Sequence, residues 1–275
     1  MRTGHLLALA GLTAQWAPAL TSIGGLRRLM MPSLAGIASS SAVALTYDDG
    51  PDSRSTPHFL ELLASYHVSA TFFLLGSAVA DNTAVVTEIA AAGHELAVHG
   101  WDHRCLAWKR PGLLTDELRR TKDTIEDLTG QLVTRYRPAY GVMTGEGLLA
   151  AHRTQLRTVL WSAWGRDWTR HASTRSIVDQ VCRTLAPGGT VLLHDTDRTS
   201  TAGSWRATLN ASDALLNTWL VQGVKVGSLR DRDSAPCGET SAADPSALRE
   251  PPDSEVCWYQ PLDPSRPRPT QQDAA

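Results

Sequence analysis

The chain has 275 residues, 42% of them apolar and 20% charged, with a formal net charge of -2. A core of that size needs no disulfide staples, and the balance is that of an ordinary globular protein. Long disorder, a collagen-like chain and a polytopic membrane protein are excluded, and so near-neutral a charge gives nucleic acid no clustered basic surface.

Residues 1–40 differ in composition from the rest of the chain. Leu6 to Leu26 carry no charge, with Arg2 before them and Arg27 and Arg28 after, and Ala17-Pro18-Ala19 is similar to a small-residue cleavage site. Three readings stay open: an export signal, a membrane anchor diluted by residues such as Thr13, Pro18 and Gly24, or an amphipathic helix lying on the next domain. The first two imply an exported or membrane-associated protein of the cell envelope; the third leaves a cytoplasmic one open.

From Ala42 to about Leu229, short runs rich in β-branched and aromatic residues alternate with helical stretches. Ala42–Thr46 leads to a helix near Thr56-Pro57, where Thr56 can cap and Pro57 suits the first turn. Ala70–Leu75 is the second strand, followed by a helix over Thr83–Ala92 that Gly93 stops. Glu95–Val98 leads through a long loop to Thr115–Thr129, where Leu118, Ile125 and Leu128 recur on one face before Gly130. Further strands are expected at Thr134–Arg137, Thr158–Ala163, Thr190–Leu193 and Lys225–Ser228, with helices over Ser173–Leu185 and Trp205–Val221. About seven βα units predict one α/β domain with a parallel sheet, rolled into a barrel or doubly wound. After Arg230 the composition collapses, and eight of the 15 prolines fall in the last 40 residues. Residues 231–275 are expected to form a mostly disordered tail whose removal leaves the fold intact.

Polar residues gather at the ends of the expected strands, where α/β folds place their sites. In Thr46-Tyr47-Asp48-Asp49-Gly50-Pro51 two adjacent carboxylates repel and call for a cation or an arginine. Alone, the same run is equally a polar turn. His99-Gly100-Trp101-Asp102-His103 puts two histidines four apart, a spacing that chance also produces. Together, one aspartate and two histidines from different strand ends make a three-ligand site with positions open to water, typical of catalytic zinc. Further clusters are Arg137-Pro138-Ala139-Tyr140-Gly141, Asp167-Trp168 and Leu192-Leu193-His194-Asp195. None of Cys105, Cys182, Cys237 and Cys257 lies in a C-x-x-C pair, so no cysteine zinc site is expected. Cys237 and Cys257 are either a disulfide of an exported chain or two unrelated thiols, and Cys105 is expected to be a small loop residue.

With those five motifs in that order over about 150 residues, the chain resembles the polysaccharide deacetylases, the NodB-like carbohydrate esterases of family four. The resemblance covers about Ala42 to Leu229. It implies a distorted (β/α) barrel with about seven parallel strands and a catalytic domain over residues 41–230. It implies removal of acetyl groups from N-acetylglucosamine polymers such as chitin and peptidoglycan, or O-acetyl groups from xylan, with a carbohydrate as partner and zinc as the metal. By the same resemblance Asp49, His99 and His103 hold the metal and Asp48 is the general base, positioned by Arg137. The backbone N–H of Tyr140 stabilises the oxyanion, His194 is the general acid tuned by Asp167, and Leu192 and Trp168 line the acetyl pocket.

Elementary chemistry agrees, since amide hydrolysis needs an activated water, an oxyanion stabiliser and a proton donor for the amine. Three positions depart from the family pattern: Gly100 replaces a serine or threonine, Ala139 a second proline, and Trp164 an aspartate. Of Trp101, Trp108, Trp161, Trp164, Trp168 and Trp205, two or three are expected beside a substrate groove, with Trp101 and Trp164 chosen, the remainder being packing. Two competing classes remain. A non-haem iron oxygenase also uses two histidines and a carboxylate but has no use for Asp48 or His194. A carbohydrate-binding pseudoenzyme should have lost one of those two residues, and both are present.

Overall fold

The computed structural model describes residues 34–109 and 112–235, together with Gln15 and Ala19. But for those two positions, the expectations for residues 1–33 and 236–275, including Cys237 and Cys257, lie outside the described residues.

A parallel strand covered on both faces reads as a continuous apolar run. Strands β1 (Val43–Asp48), β2 (Thr71–Leu75) and β3 (Glu95–Gly100) are of that kind and buried throughout. They form the middle of the sheet with β7 (Thr190–His194). Toward the edges lie the two-residue strands β4 (Arg135–Tyr136), β5 (Arg157–Thr158) and β6 (Ala163–Trp164). The order is β5-β4-β3-β2-β1-β7-β6, every pair is parallel, and β8 (Val226–Gly227) pairs with the first residues of β1. Around this sheet run α1 (Thr56–Ser65), α2 (Gly76–Asp81), α3 (Thr83–Ala91), α4 (Leu113–Thr129), α5 (Gly145–Arg153), α6 (Thr174–Thr184), α7 (Trp205–Val221) and α8 (Leu229–Ser234). The architecture is a distorted (β/α) barrel.

Several elements differ from expectation for identifiable reasons. Thr56 does not cap α1: it is the first helical residue, and its hydroxyl accepts from the Asp52 N–H and donates to Asp195. The single strand expected over Thr158–Ala163 is broken into β5 and β6. Between them the carbonyls of Val159 and Leu160 turn to the guanidinium of Arg137 instead of a strand ladder. Helix α2 follows β2 with no loop to announce it, and the two glycines of α5 hide a helix capped by the Thr144 hydroxyl on Gly147 N–H.

The largest correction concerns the domain's end. Ordered structure passes the expected boundary at 230, because Ser228 and Asp231 form a capping box that starts α8. This helix carries Arg232 into the interior, where it is only 2% exposed. Its Nη1 donates to the Gly36 and Gly188 carbonyls and to Thr190 Oγ1, at 2.7, 3.2 and 2.7 Å. Asp233 bridges Arg232 to Arg135, which pairs with Glu95 at 2.6 Å. The entire network lies at the amino-terminal rim of the sheet, where barrels place stability rather than chemistry.

Register fixes the opposite rim. Asp48 is the Cα partner of both Phe73 and His194, and Leu75 is that of Gly100. Residues from three motifs are thereby brought to neighbouring strand ends.

Arg232→Ala should remove three buried hydrogen bonds from a charged donor, each worth about 1.5–3 kcal/mol, while the Gly36 and Gly188 carbonyls keep Thr190 Oγ1 and the Ala38 N–H as donors. A drop of roughly 2–4 kcal/mol in urea-unfolding stability is expected. An unchanged midpoint would show that α8 is not needed.

Candidate active site

Asp48 closes β1, and Asp49 follows it with a φ of 74°. Aspartate tolerates that left-handed conformation better than most residues. The turn sends the two carboxylates to different partners, which relieves their repulsion. Glycine is required next, because a Cβ on Gly50 would stand 2.8 Å from both carboxylate oxygens of Asp195. Asp195 is itself buried, and burial pushes its pKa up to about 7.

Asp48 Oδ1 accepts a 2.6 Å bond from Arg137 Nη1. The guanidinium is fully buried and also donates to Thr46 Oγ1 and to the Val159 and Leu160 carbonyls, at 2.8, 3.2 and 3.0 Å. Its plane lies 3.9 Å over the Phe73 ring. Burial lowers its pKa, and the Asp48 charge offsets part of that.

His99 ends β3 together with Gly100, whose φ of 106° turns the chain into the loop that returns His103. Lys109 ties this loop to α4, bridging Asp102 Oδ1 at 2.7 Å and Glu117. The Nε2 atoms of His99 and His103 stand 3.2 and 3.4 Å from Asp49 Oδ1. One ligand atom from each residue fits within 4.8 Å of the others.

Asp49 Oδ1 is buried and accepts no hydrogen bond. A buried carboxylate oxygen without a partner is costly, and beside two imidazole nitrogens a divalent cation is the partner that fits. One carboxylate and two imidazoles suit zinc and its borderline neighbours. Burial alone would raise the pKa of Asp49, but the adjacent His99, with His194 and His103, outweighs it and holds the carboxyl well below its usual range. Burial lowers the pKa of His103, favouring the neutral form that ligates. Cys105 is a free thiol and is not part of this set.

His194 ends β7 with its Nδ1 3.0 Å from Asp167 Oδ1 and its backbone N–H donating to Asp167 Oδ2 at 2.8 Å. Thr208 Oγ1 completes the grip on Asp167 at 3.0 Å. Burial works against a charged His194, but Asp167, then Asp49 and Asp48, raise its pKa to about 10. Its free Nε2 is 3.8 Å from Asp49 Oδ2.

Tyr140 has a φ of 60°, is 60% exposed, and meets the His103 ring edge-on at 4.5 Å. The loop beneath it rests on Trp161, whose indole would lie 2.6 Å from a Cβ on Gly141. From Trp161 an aromatic row runs through Trp164 and Trp168 to His194, with ring centres 6.0, 5.2 and 5.6 Å apart. Leu192 is the register partner of Trp164 in this wall. Trp101 is not part of the row. Arg120 covers its ring at 3.5 Å, and a Cβ on Gly76 would meet it at 2.5 Å, so it is engaged between α2 and α4. Trp161 is one of the six tryptophans but is not singled out by the sequence, since its place under Gly141 has no local signature, and Thr199, whose hydroxyl donates to Asp49 Oδ2 from a polar loop, escaped the sequence reading.

Comparison with known proteins fits this geometry. The model of the family described as polysaccharide deacetylase matches residues 35–159. A chitooligosaccharide deacetylase from Bradyrhizobium sp. (strain ANU 289) is 36% identical over 58% of this chain and 73% of its own length. The peptidoglycan-N-acetylglucosamine deacetylase PgdA of Listeria monocytogenes is 32% identical over 62% of this chain, but the match spans only 36% of that protein. Among solved structures, a CE4 family pseudoenzyme from Bacillus anthracis superposes with a TM-score of 0.63 at 29% identity, covering 70% of this chain and 65% of that one. The chain belongs to the polysaccharide deacetylase family, and by class it is a carbohydrate deacetylase.

Replacing Arg137 by lysine leaves one ammonium where a planar fork serves four acceptors. Urea unfolding should show a loss of about 2–4 kcal/mol. A variant as stable as the parent would mean that water or another donor reaches those acceptors.

Proposed function

We propose that the chain removes N-acetyl groups from N-acetylglucosamine units in chitooligosaccharide- or peptidoglycan-like chains, with a divalent metal, most simply zinc, held by Asp49, His99 and His103. The observation that carries this reading is the pairing of two proton-transfer groups around Asp49: Asp48 fixed by Arg137, and His194 fixed by Asp167. Bound there, the metal supplies Lewis-acid polarisation of water and of the acetyl carbonyl.

The chain's own residues perform the remaining tasks. Asp48 Oδ1 is committed to Arg137, which leaves Oδ2 to take a proton from the attacking water. The Tyr140 N–H donates to the oxygen that becomes negative as the carbonyl carbon turns tetrahedral. His194 holds a proton on Nε2 while its Nδ1 is bound to Asp167. As the C–N bond breaks, that proton passes to the sugar nitrogen, giving acetate and a free amine. Leu192 and Trp168 close around the acetyl methyl, and Trp164 extends the wall along which a sugar chain lies.

A pseudoenzyme, as one structural neighbour is named, is the second reading. The presence of both Asp48 and His194, each with its buried partner, supports an active enzyme instead. The same two residues have no part in an iron oxygenase. The peptidoglycan deacetylase among the relatives suggests work at the cell envelope. Among the described residues no helix is long and apolar enough to cross a membrane.

Acetate release from chitooligosaccharides, peptidoglycan and acetylated xylan tests the substrate class. His99→Ala and His103→Ala should lose metal and activity together, and stoichiometric zinc retained in either variant would overturn the ligand assignment. Asp48→Asn and His194→Ala should keep metal and fold while lowering turnover by about 10²–10⁴. Near-parental rates in both on every active substrate would refute the acid and base roles.

A further inference from the structure

We propose that Thr199, in the loop between β7 and α7, is a positioning residue that holds Asp49 as a one-oxygen ligand. The inference rests on the metal site proposed above. The two oxygens of Asp49 have separate surroundings. Oδ1 faces the Nε2 atoms of His99 and His103 and accepts no hydrogen bond. Oδ2 accepts the hydroxyl of Thr199. A donor on one oxygen stops the carboxylate from rotating to offer both, so Oδ1 alone is presented to a cation.

Among the described residues, Thr199 is the one hydroxyl bonded to a side chain of the ligand set. His99 lacks such support, since its buried Nδ1 has no hydrogen-bond partner. Metal ligands depend on partners of this kind, and losing one typically weakens metal affinity by about 10–100-fold.

The loop that carries Thr199 is braced for the task. Arg54 Nη2 pairs with Asp197 Oδ1 at 3.0 Å, and the Gly203 N–H donates to Asp197 Oδ2 at 2.6 Å. The Arg198 N–H donates to Thr196 Oγ1 at 3.2 Å. Thr199 itself is exposed while Asp49 is buried, so the threonine contributes its hydroxyl and little packing. The bond also occupies the oxygen that faces His194 Nε2, 3.8 Å away, and so keeps the proposed acid from settling on the ligand.

The test is zinc affinity of the full chain, measured by competition with a chelating dye and independent of turnover. Thr199→Val keeps the shape and removes the donor; it should bind zinc about tenfold or more weakly, with the melting temperature of the metal-free protein unchanged. Thr199→Ser restores the hydroxyl and should return affinity to within about threefold of the parent. Thr199→Ala should match the valine variant, which guards against a misfit of the branched side chain. Parental affinity in the valine and alanine variants, or a serine variant as weak as they are, overturns the proposal. A His99→Ala control that still binds zinc stoichiometrically would instead sink the metal site, leaving the two failures distinguishable.

Discussion

A guanidinium cut off from water must find partners for its charge and for its N–H groups, and most of this molecule's active rim is shaped by how Arg137 finds them. It takes Asp48 Oδ1 for its charge, Thr46 Oγ1 beside it, and two carbonyls from the chain beyond β5. The first fixes one member of the carboxylate pair and leaves the other to the histidines. The last two interrupt a strand and open the sheet between β5 and β6. The interior is therefore arranged around a buried ion and the acceptors it requires.

The two rims of the barrel divide the polar residues by purpose. At the amino-terminal rim, Glu95, Arg135, Asp233 and Arg232 satisfy one another and the nearby backbone, although the adjacent His94 keeps a buried Nε2 without a partner. At the carboxyl rim the groups are deliberately incomplete. Asp49 Oδ1 and His99 Nδ1 are buried without hydrogen bonds, and His194 Nε2 points at nothing closer than a carboxylate 3.8 Å away. Unmet valence of that sort is where ligands belong.

How far the sequence disclosed this depends on the range of the interaction concerned. The apolar runs of β1, β2 and β7 announced themselves, because burial on both faces leaves few polar residues in the strand, mostly at its ends. Asp48, Asp49, His99, His103, Arg137, Asp167 and His194 stood out as short polar clusters directly after such runs. What stayed hidden was set by distant partners. The break between Thr158 and Ala163 is caused by an arginine about 20 residues earlier in the chain. Arg232 looked like part of a solvated tail because its acceptors come from Gly36, Gly188 and Thr190. Trp101 sat between the two histidines in sequence yet turned to α2 and α4, since the left-handed Gly100 reverses the chain there. Thr199 belongs to a loop whose composition predicts only a turn.

The pairing of Asp48 with His194 on adjacent parallel strands has an evolutionary corollary. Neighbouring strands lie about 4.8 Å apart whatever their loops contain. The separation of these two backbones is thus a property of the sheet, shared by every chain that keeps the register. Loops carrying Tyr140, Trp164 or Thr199 can lengthen, shorten or exchange aromatic residues without moving it. Chemistry and appetite are in this way inherited through different parts of the molecule, and one framework can be refitted to a new carbohydrate while its proposed acid and base stay in place.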